Sequence, residues 1–222
     1  MLSKFNHAAT IRYPPPKTIK EGILRRYAIQ SMLEHTKSFE HLNPIYLHLD
    51  IDVLVVNDIR KLNFINSGAS AHPDRTTIFL RSEETITGDN YFGALMTDED
   101  KLLLEANGTP NFPGFSAGIF GWMNNKYIKE YFHYILTYAL RTEKLLYTVD
   151  QPFFNAAVFQ FIFKTPGYFN FVVLDDNSIG HNIIGAHMLP SVVLTNFCGE
   201  PGIESVHWNK MFYQLILQTL GS

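Results

Sequence analysis

Cysteine occurs once in 222 residues. That excludes an intrachain disulfide framework and any metal site built from several thiolates. Charge is scarce as well. The 18 Lys and Arg stand against 21 Asp and Glu, a formal net charge of −3, which offers no basic footprint for nucleic acid. No apolar run reaches the roughly 18 residues that a membrane-spanning helix needs. The opening MLSKFNHAATIRYPPPK lacks the apolar centre of a secretory signal. Nine histidines are scattered along the chain without the H-x-x-x-H or H-E-x-x-H spacing of a zinc site. With 46% hydrophobic and 14% aromatic residues, disorder is excluded too. The expectation is a cytoplasmic or otherwise soluble α/β or α+β protein, with no nucleic-acid partner and no transmembrane segment.

What is present divides into strands and helices. Residues 1–16 form a poorly patterned lead ending in Pro14-Pro15-Pro16, a stiff extended stretch. No repeat or long linker interrupts the rest, so 1–222 reads as one domain. Thr18 and Glu21 have capping-box spacing ahead of Leu24, Tyr27, Ala28, Ser31 and Met32, which predicts a helix over about 18–36. Ile45–Leu49 and Val53–Val56 read as a buried strand interrupted by Asp50 and Asp52. Thr76–Arg81, Phe169–Leu174 and Ser191–Thr195 predict further strands. Residues 112–121 predict a glycine-rich strand with tight turns, and 96–108 an acidic surface helix or loop. Helices are expected over about 125–146, from near Asp150, and over 205–220. Alternating strands and long helices favour an α/β layered sheet.

Three segments carry chemistry. Asp50 and Asp52, at i and i+2 on a strand, point to one side and repel each other unless a cation sits between them. A hard divalent ion answers that, because carboxylate oxygens suit Mg²⁺ or Mn²⁺. The alternative is a strand that ends at Asp50, with both acids solvated in a turn. Asp150-Gln151-Pro152-Phe153-Phe154-Asn155 makes sense on its own as a helix start, with Asp150 a good cap and Pro152 suited to the first turn. Asn196-Phe197-Cys198-Gly199-Glu200-Pro201-Gly202 is either a structural turn or part of a ligand site. Cys198 lacks the partners of a nucleophile and reads as a structural thiol. Lys17, Lys20, Arg25 and Arg26 suit either an anion site or a solvated helix face. The aromatic residues suit either a core or sugar-stacking platforms.

Together these segments resemble metal-dependent glycosyltransferases of the GT-A fold, in particular the family 8 type that includes glycogenin and lipopolysaccharide galactosyltransferases. The resemblance rests on order: YLHLDIDVLVVNDIRKL (46–62), FSAGIFGW (115–122), DQPFFN (150–155), then NFCGEPG (196–202) before Lys210. It covers roughly residues 17–211. It implies an α/β, GT-A-type layered sheet with flanking helices. It implies retaining transfer of a sugar from a nucleoside-diphosphate sugar, UDP-linked, to a hydroxyl of a carbohydrate or glycoconjugate acceptor. By the same resemblance Asp50, Asp52 and Asn196 hold Mn²⁺ or Mg²⁺. Asp150 and Gln151 act at the sugar, and Arg25, Ser116, Gly118, Gly199 and Lys210 contact the donor, with Arg26 the alternative to Arg25.

This sequence departs from the family in having Asn196 where a metal-binding histidine is usual, and Ser-Ala-Gly at 116–118 where Asn-Ser-Gly is usual. His187 is the histidine that could approach the metal instead. Only 49 residues precede Asp50, fewer than the family's first nucleotide-binding β-α-β units occupy, so those strands are expected to be missing. Two alternatives remain open. One is a non-catalytic relative. The other is a haloacid-dehalogenase-type phosphatase using the same D-x-D with Mg²⁺, in which Asp175-Asp176 would be the late acidic pair.

Overall fold

Helix α1 (Ile19–Leu33) begins where the sequence places it, since Thr18 Oγ1 accepts from the Glu21 amide at 3.0 Å. The reciprocal half of the cap is displaced by one residue: Glu21 accepts from the Lys17 amide at 2.8 Å. A computed structural model describes residues 14–33, 45–50, 52–62, 76–123, 128–142, 148, 150–167, 169–181, 189–197 and 214. The strands are β1 (Ile45–Leu49), β2 (Val53–Val55), β3 (Thr76–Thr85), β4 (Pro113–Met123), β5 (Phe169–Leu174), β6 (Ile179–His181) and β7 (Leu194–Asn196). The further helices are α2 (Asp98–Ala106), α3 (Ile128–Arg141) and α4 (Gln151–Phe159), the last continued by a wider π turn over Gln160–Lys164.

Four strands form one sheet in the order β1-β4-β3-β5, with β5 parallel to β3 and the other pairs antiparallel. Three short strands form a second sheet, β2-β7-β6. Period-two alternation distributes the side chains of the larger sheet to its two faces. Ile78, Leu80, Phe120 and Trp122 join Tyr27 of α1, Phe132 and Ile135 of α3, and Phe153 and Phe154 of α4 in one buried cluster. Phe79 and Ile119 turn the other way, onto Val53, Ile179 and Leu194 of the second sheet and the adjoining Val193. Helices therefore cover one face of the larger sheet and the small sheet covers the other, the α/β layering expected from the alternation of elements. Helix α4 is buried from Pro152 to Phe159, which is why its sequence is apolar all round rather than amphipathic. The aromatic excess is mostly core.

Three expectations are corrected. Asp50 and Asp52 do not interrupt one strand. They lie on the turn between β1 and β2, closed by the Val53 amide donating to the Asp50 carbonyl at 3.0 Å, and the two strands belong to different sheets. The 112–121 segment is one continuous strand rather than a strand with turns. Its glycines serve close approach instead: a Cβ at Gly121 would lie 2.9 Å from the Tyr46 carbonyl oxygen. The late acidic pair of the phosphatase reading does not reach D-x-D. Strand β5 is the sheet edge opposite β1, three strand spacings or about 14 Å away, and Asp175 caps its own turn by accepting from the Asn177 amide. The 96–108 segment resolves to helix α2, with a full capping box between Thr97 and Asp100. Gly199, Lys210, Cys198, His187, the glycine turn at 198–202 and, apart from the helical residue Gln214, the 205–220 helix lie outside the described residues.

Candidate active site

The site is built on an irregularity in β4. Its register with β3 runs regularly to Leu80↔Phe120 and resumes at Ser82↔Phe115. One β3 residue, Arg81, therefore faces four β4 residues, Ser116-Ala117-Gly118-Ile119. Such a bulge withdraws backbone groups from the ladder and offers them elsewhere. The Gly118 carbonyl accepts from the Asp50 amide at 2.9 Å, carrying the β1 pairing past Leu49 to the first aspartate. The Ala117 carbonyl accepts from Arg26 Nη2 at 2.5 Å. The Ala117 amide donates to Gln151 Oε1 at 3.4 Å, and the Gly118 amide to Ser116 Oγ at 3.1 Å. At the end of the bulge, Asn155 of α4 mimics a strand partner for Phe115. Its Oδ1 accepts from the Phe115 amide and its Nδ2 donates to the Phe115 carbonyl, both at 2.8 Å.

Arg26 joins the carboxylates across this shelf. Its Nη1 donates to Asp150 Oδ2 at 2.8 Å, and its Nη2 lies 3.5 Å from Asp50 Oδ1. Tyr27 Oη donates to the same Asp150 oxygen at 2.7 Å. Asp150 stands at the N-terminus of α4, yet its side chain makes no capping hydrogen bond. The capping reading is thereby corrected: the carboxylate is committed to α1. Arg26 Nη2 also meets His48 Nε2 at 2.6 Å, and that nitrogen is 3.0 Å from Asp50 Oδ1. One ring nitrogen cannot accept from Arg26 and donate to Asp50 at once, so the His48–Asp50 contact depends on the imidazole tautomer.

The two aspartates differ electrostatically. Burial pushes the Asp50 carboxyl up, but the His48 hydrogen bond and the Arg26 charge outweigh it, and the net direction is below the ordinary range. Burial raises Asp52, with the nearby Asp50 charge adding to it and a backbone hydrogen bond only partly offsetting it. His48 is lowered by burial and by Arg26. Burial lowers Arg26, but Tyr27, Asp150 and Asp50 outweigh it and the net direction is up.

The second sheet brings up Asn196. It pairs with Val53 in the β2–β7 ladder, and the Phe197 amide donates to the Asp52 carbonyl at 3.0 Å. Asn196 is 4% exposed, and its Oδ1 is buried without a hydrogen-bond partner. Among the described residues no three His, Cys, Asp or Glu side chains gather as a metal cluster. The oxygen donors available are two carboxylates and this amide, a hard set that fits Mg²⁺ or Mn²⁺ rather than zinc.

Of the residues singled out in the sequence, Asp50, Ser116, Gly118, Asp150 and Gln151 meet around the β4 bulge, and backbone pairing at the β2–β7 ladder brings Asn196 next to the Asp52 backbone. Arg25 does not join them. It turns outward to Glu21, at 2.6 Å, and to the Pro14 carbonyl. The inward position belongs to Arg26, because i and i+4 of the buried Ile23–Tyr27 stripe put residue 26, not 25, beside Tyr27 facing β4. Sequence reasoning missed His48 and Asn155. The first could have been found two residues ahead of Asp50 on the same strand face, the second four residues after Gln151 on one helix face. Two cavities among the described residues are lined by other residues. One of about 340 Å³ is lined by Phe112, Phe161 and Phe171, and one of about 380 Å³ by Asp89, Lys101 and Glu105.

No family model and no curated protein sequence matches the chain. Among solved structures it is similar to a glycosyltransferase involved in the glycosylation of the major capsid of PBCV-1. The TM-score is 0.50 and the identity 13%, over 90% of this chain and 81% of that one. The fold is thus a mixed α/β architecture shared with a glycosyltransferase. Among the described residues no helix is long and apolar enough to cross a membrane.

Proposed function

We propose that the chain is a metal-dependent glycosyltransferase. It moves a sugar from a nucleoside-diphosphate sugar, UDP-linked, to a hydroxyl of a carbohydrate or glycoconjugate acceptor, with retention of configuration. The observation that supports this most is the meeting of the D-x-D turn, the β4 bulge and the Asp150 helix start on one guanidinium, within a fold shared with a glycosyltransferase. Asp50, Asp52 and Asn196 would hold Mn²⁺ or Mg²⁺, and the buried, unpartnered Asn196 Oδ1 fits that role. A bound divalent ion offsets the charge that develops on a departing diphosphate.

The chain's own groups do the positioning. Arg26 and Tyr27 fix the Asp150 carboxylate, 13% exposed, at the edge of the bulge. Among the described residues the Gln151 side chain makes only long contacts of 3.4 Å, to the Ala117 amide and the Asn90 carbonyl, which sugar hydroxyls can replace at little cost. Ser116 and Gly118 shape the floor. Gly199 and Lys210, outside the described residues, would by the resemblance contact the donor.

Thermal shift against a panel of nucleotide sugars, with and without Mn²⁺, tests the reading. The expected result is a shift with UDP-sugar that requires Mn²⁺, accompanied by slow hydrolysis of the donor, and loss of both in Asp52→Ala. No shift with any donor overturns it. Binding without hydrolysis makes the chain a non-catalytic relative, and release of phosphate from a generic phosphoester makes it a phosphatase.

A further inference from the structure

Behind Asn196 lies a second polar group that the proposed transfer does not use. Strand β6 pairs with β7 so that His181 is opposite Asn196. His181 Nδ1 is 2.8 Å from Arg81 Nη1 and 3.4 Å from Asn196 Nδ2. Arg81 is 7% exposed and sits at the β4 bulge, 3.7 Å from Glu83. A guanidinium has donors only. Nδ1 facing it must therefore present its lone pair, and the ring proton resides on Nε2.

That settles the neighbour. An amide next to an accepting Nδ1 must turn its NH₂ toward it, and so must turn its carbonyl oxygen away. The oxygen turned away is the one that is buried without a partner, one ladder step from Asp52. An asparagine left to itself has two orientations related by a half-turn, one offering oxygen and the other NH₂, and the second repels a cation.

The geometry points to His181, held by Arg81, as the positioning residue that locks the Asn196 amide with its oxygen toward a divalent cation. The inference rests on the metal reading of the proposed function. It identifies what makes an amide serviceable where an imidazole would need no such lock. In this role His181 acts through Asn196 as outer-sphere groups do, whose loss costs on the order of 10–100-fold in metal affinity.

A double-mutant cycle read by Mn²⁺ affinity tests this, from the loss of the free-ion electron paramagnetic resonance signal in the presence of UDP. His181→Ala should weaken Mn²⁺ binding about 10–100-fold. His181→Gln, which keeps a carbonyl acceptor for the Asn196 NH₂, should retain most of the affinity. In an Asn196→Asp background both side-chain oxygens are acceptors, no orientation needs selecting, and His181→Ala should cost less than about threefold. Equal losses in the two backgrounds, or no loss in the native one, overturn the inference while leaving the metal reading intact. Failure of the unsubstituted protein to bind Mn²⁺ overturns the metal reading, and this inference with it.

Discussion

Gly118 is where the candidate site leaves least room, and Gly118→Ala is its most informative perturbation. A Cβ there would stand 2.7 Å from Asp50 Oδ2, 3.3 Å from its Cγ and 3.5 Å from Ser116 Oγ. Ordinary contact begins near 3.4 Å, so the carboxylate must retreat by about 0.7 Å. Backbone conformation is no obstacle, since Gly118 is not among the glycines with positive φ. Asp50 can yield, because its side chain is 43% exposed, and the stability cost falls at the low end of overpacking, about 1 kcal/mol. For a chain of this size that lowers Tm by roughly 2–4 °C. The retreat does more to the site than to the fold. It shifts the carboxylate that His48 faces at 3.0 Å and moves one proposed metal ligand. Mn²⁺-dependent UDP binding, followed by calorimetry, should weaken at least tenfold.

Gly121→Ala is the control. Its Cβ would meet the Tyr46 backbone carbonyl at 2.9 Å and Phe79 at 3.3 Å, groups that cannot retreat, so it should cost more stability, about 2–3 kcal/mol. Folded protein should nevertheless bind as the native chain does. If Gly118→Ala binds Mn²⁺ and UDP within twofold of native, or if both alanines weaken binding equally, the placement of Asp50 against the bulge is refuted.

Three further outcomes follow from the same structure. Asn155→Ala removes both partners of the buried Phe115 backbone groups and should cost about 3 kcal/mol, a Tm fall of roughly 6–12 °C; a fall under about 2 °C would show that β4 does not need the clamp. Asp52→Asn should raise Tm at pH 7 while abolishing Mn²⁺ binding. The raised Asp52 carboxyl disfavours its ionised form in the folded state, so neutralising it stabilises above that pKa, and the advantage disappears in acid where both states are protonated; a lower Tm at pH 7 contradicts this. Lys164→Met breaks the 2.7 Å pair with Asp100 that ties α2 to the π turn, at about 1–2 kcal/mol after discounting for the partly exposed lysine. Lys164 and the Thr97 bonds together hold Asp100 below its ordinary 3.8 despite burial. The deficit of the variant should therefore be complete at neutral pH and close as pH falls through that lowered value; a deficit that does not change with pH refutes the pairing.

Much of the fold was legible because its signals are local. Thr18 and Glu21 mark the start of α1, the spacing Ile128, Phe132, Ile135, Ala139 marks α3, and the β-branched and aromatic runs mark β1, β3 and β5. The D-x-D turn was misread as strand because apolar residues flank it on both sides. Only the pairing of β1 with β4 and β2 with β7 shows that those flanks belong to two sheets. The choice of Arg26 over Arg25 likewise needed the direction in which Tyr27 is buried. Asn155 was hidden for a different reason. Its role is to replace a ladder partner in a bulge, and no sequence pattern announces that β3 and β4 fall out of register by three residues.

That loss of register also explains why small residues line the site. A regular β4 would spend its amides and carbonyls on β3 and leave no group for a side chain to reach. By letting Ser116, Ala117, Gly118 and Ile119 face the single residue Arg81, the strand frees the Ala117 carbonyl for Arg26 and the Ala117 amide for Gln151. Larger side chains at 117 or 118 would stand between those partners and the backbone, as the 2.7 Å approach of Asp50 at Gly118 shows. A guanidinium suits the remaining gap better than an ammonium. Its two terminal nitrogens reach Asp150 on one side, and the Ala117 carbonyl and His48 on the other, in one plane. Asp50 and Asp150, a hundred positions apart in the chain, are thus held on the two sides of one strand by a single side chain.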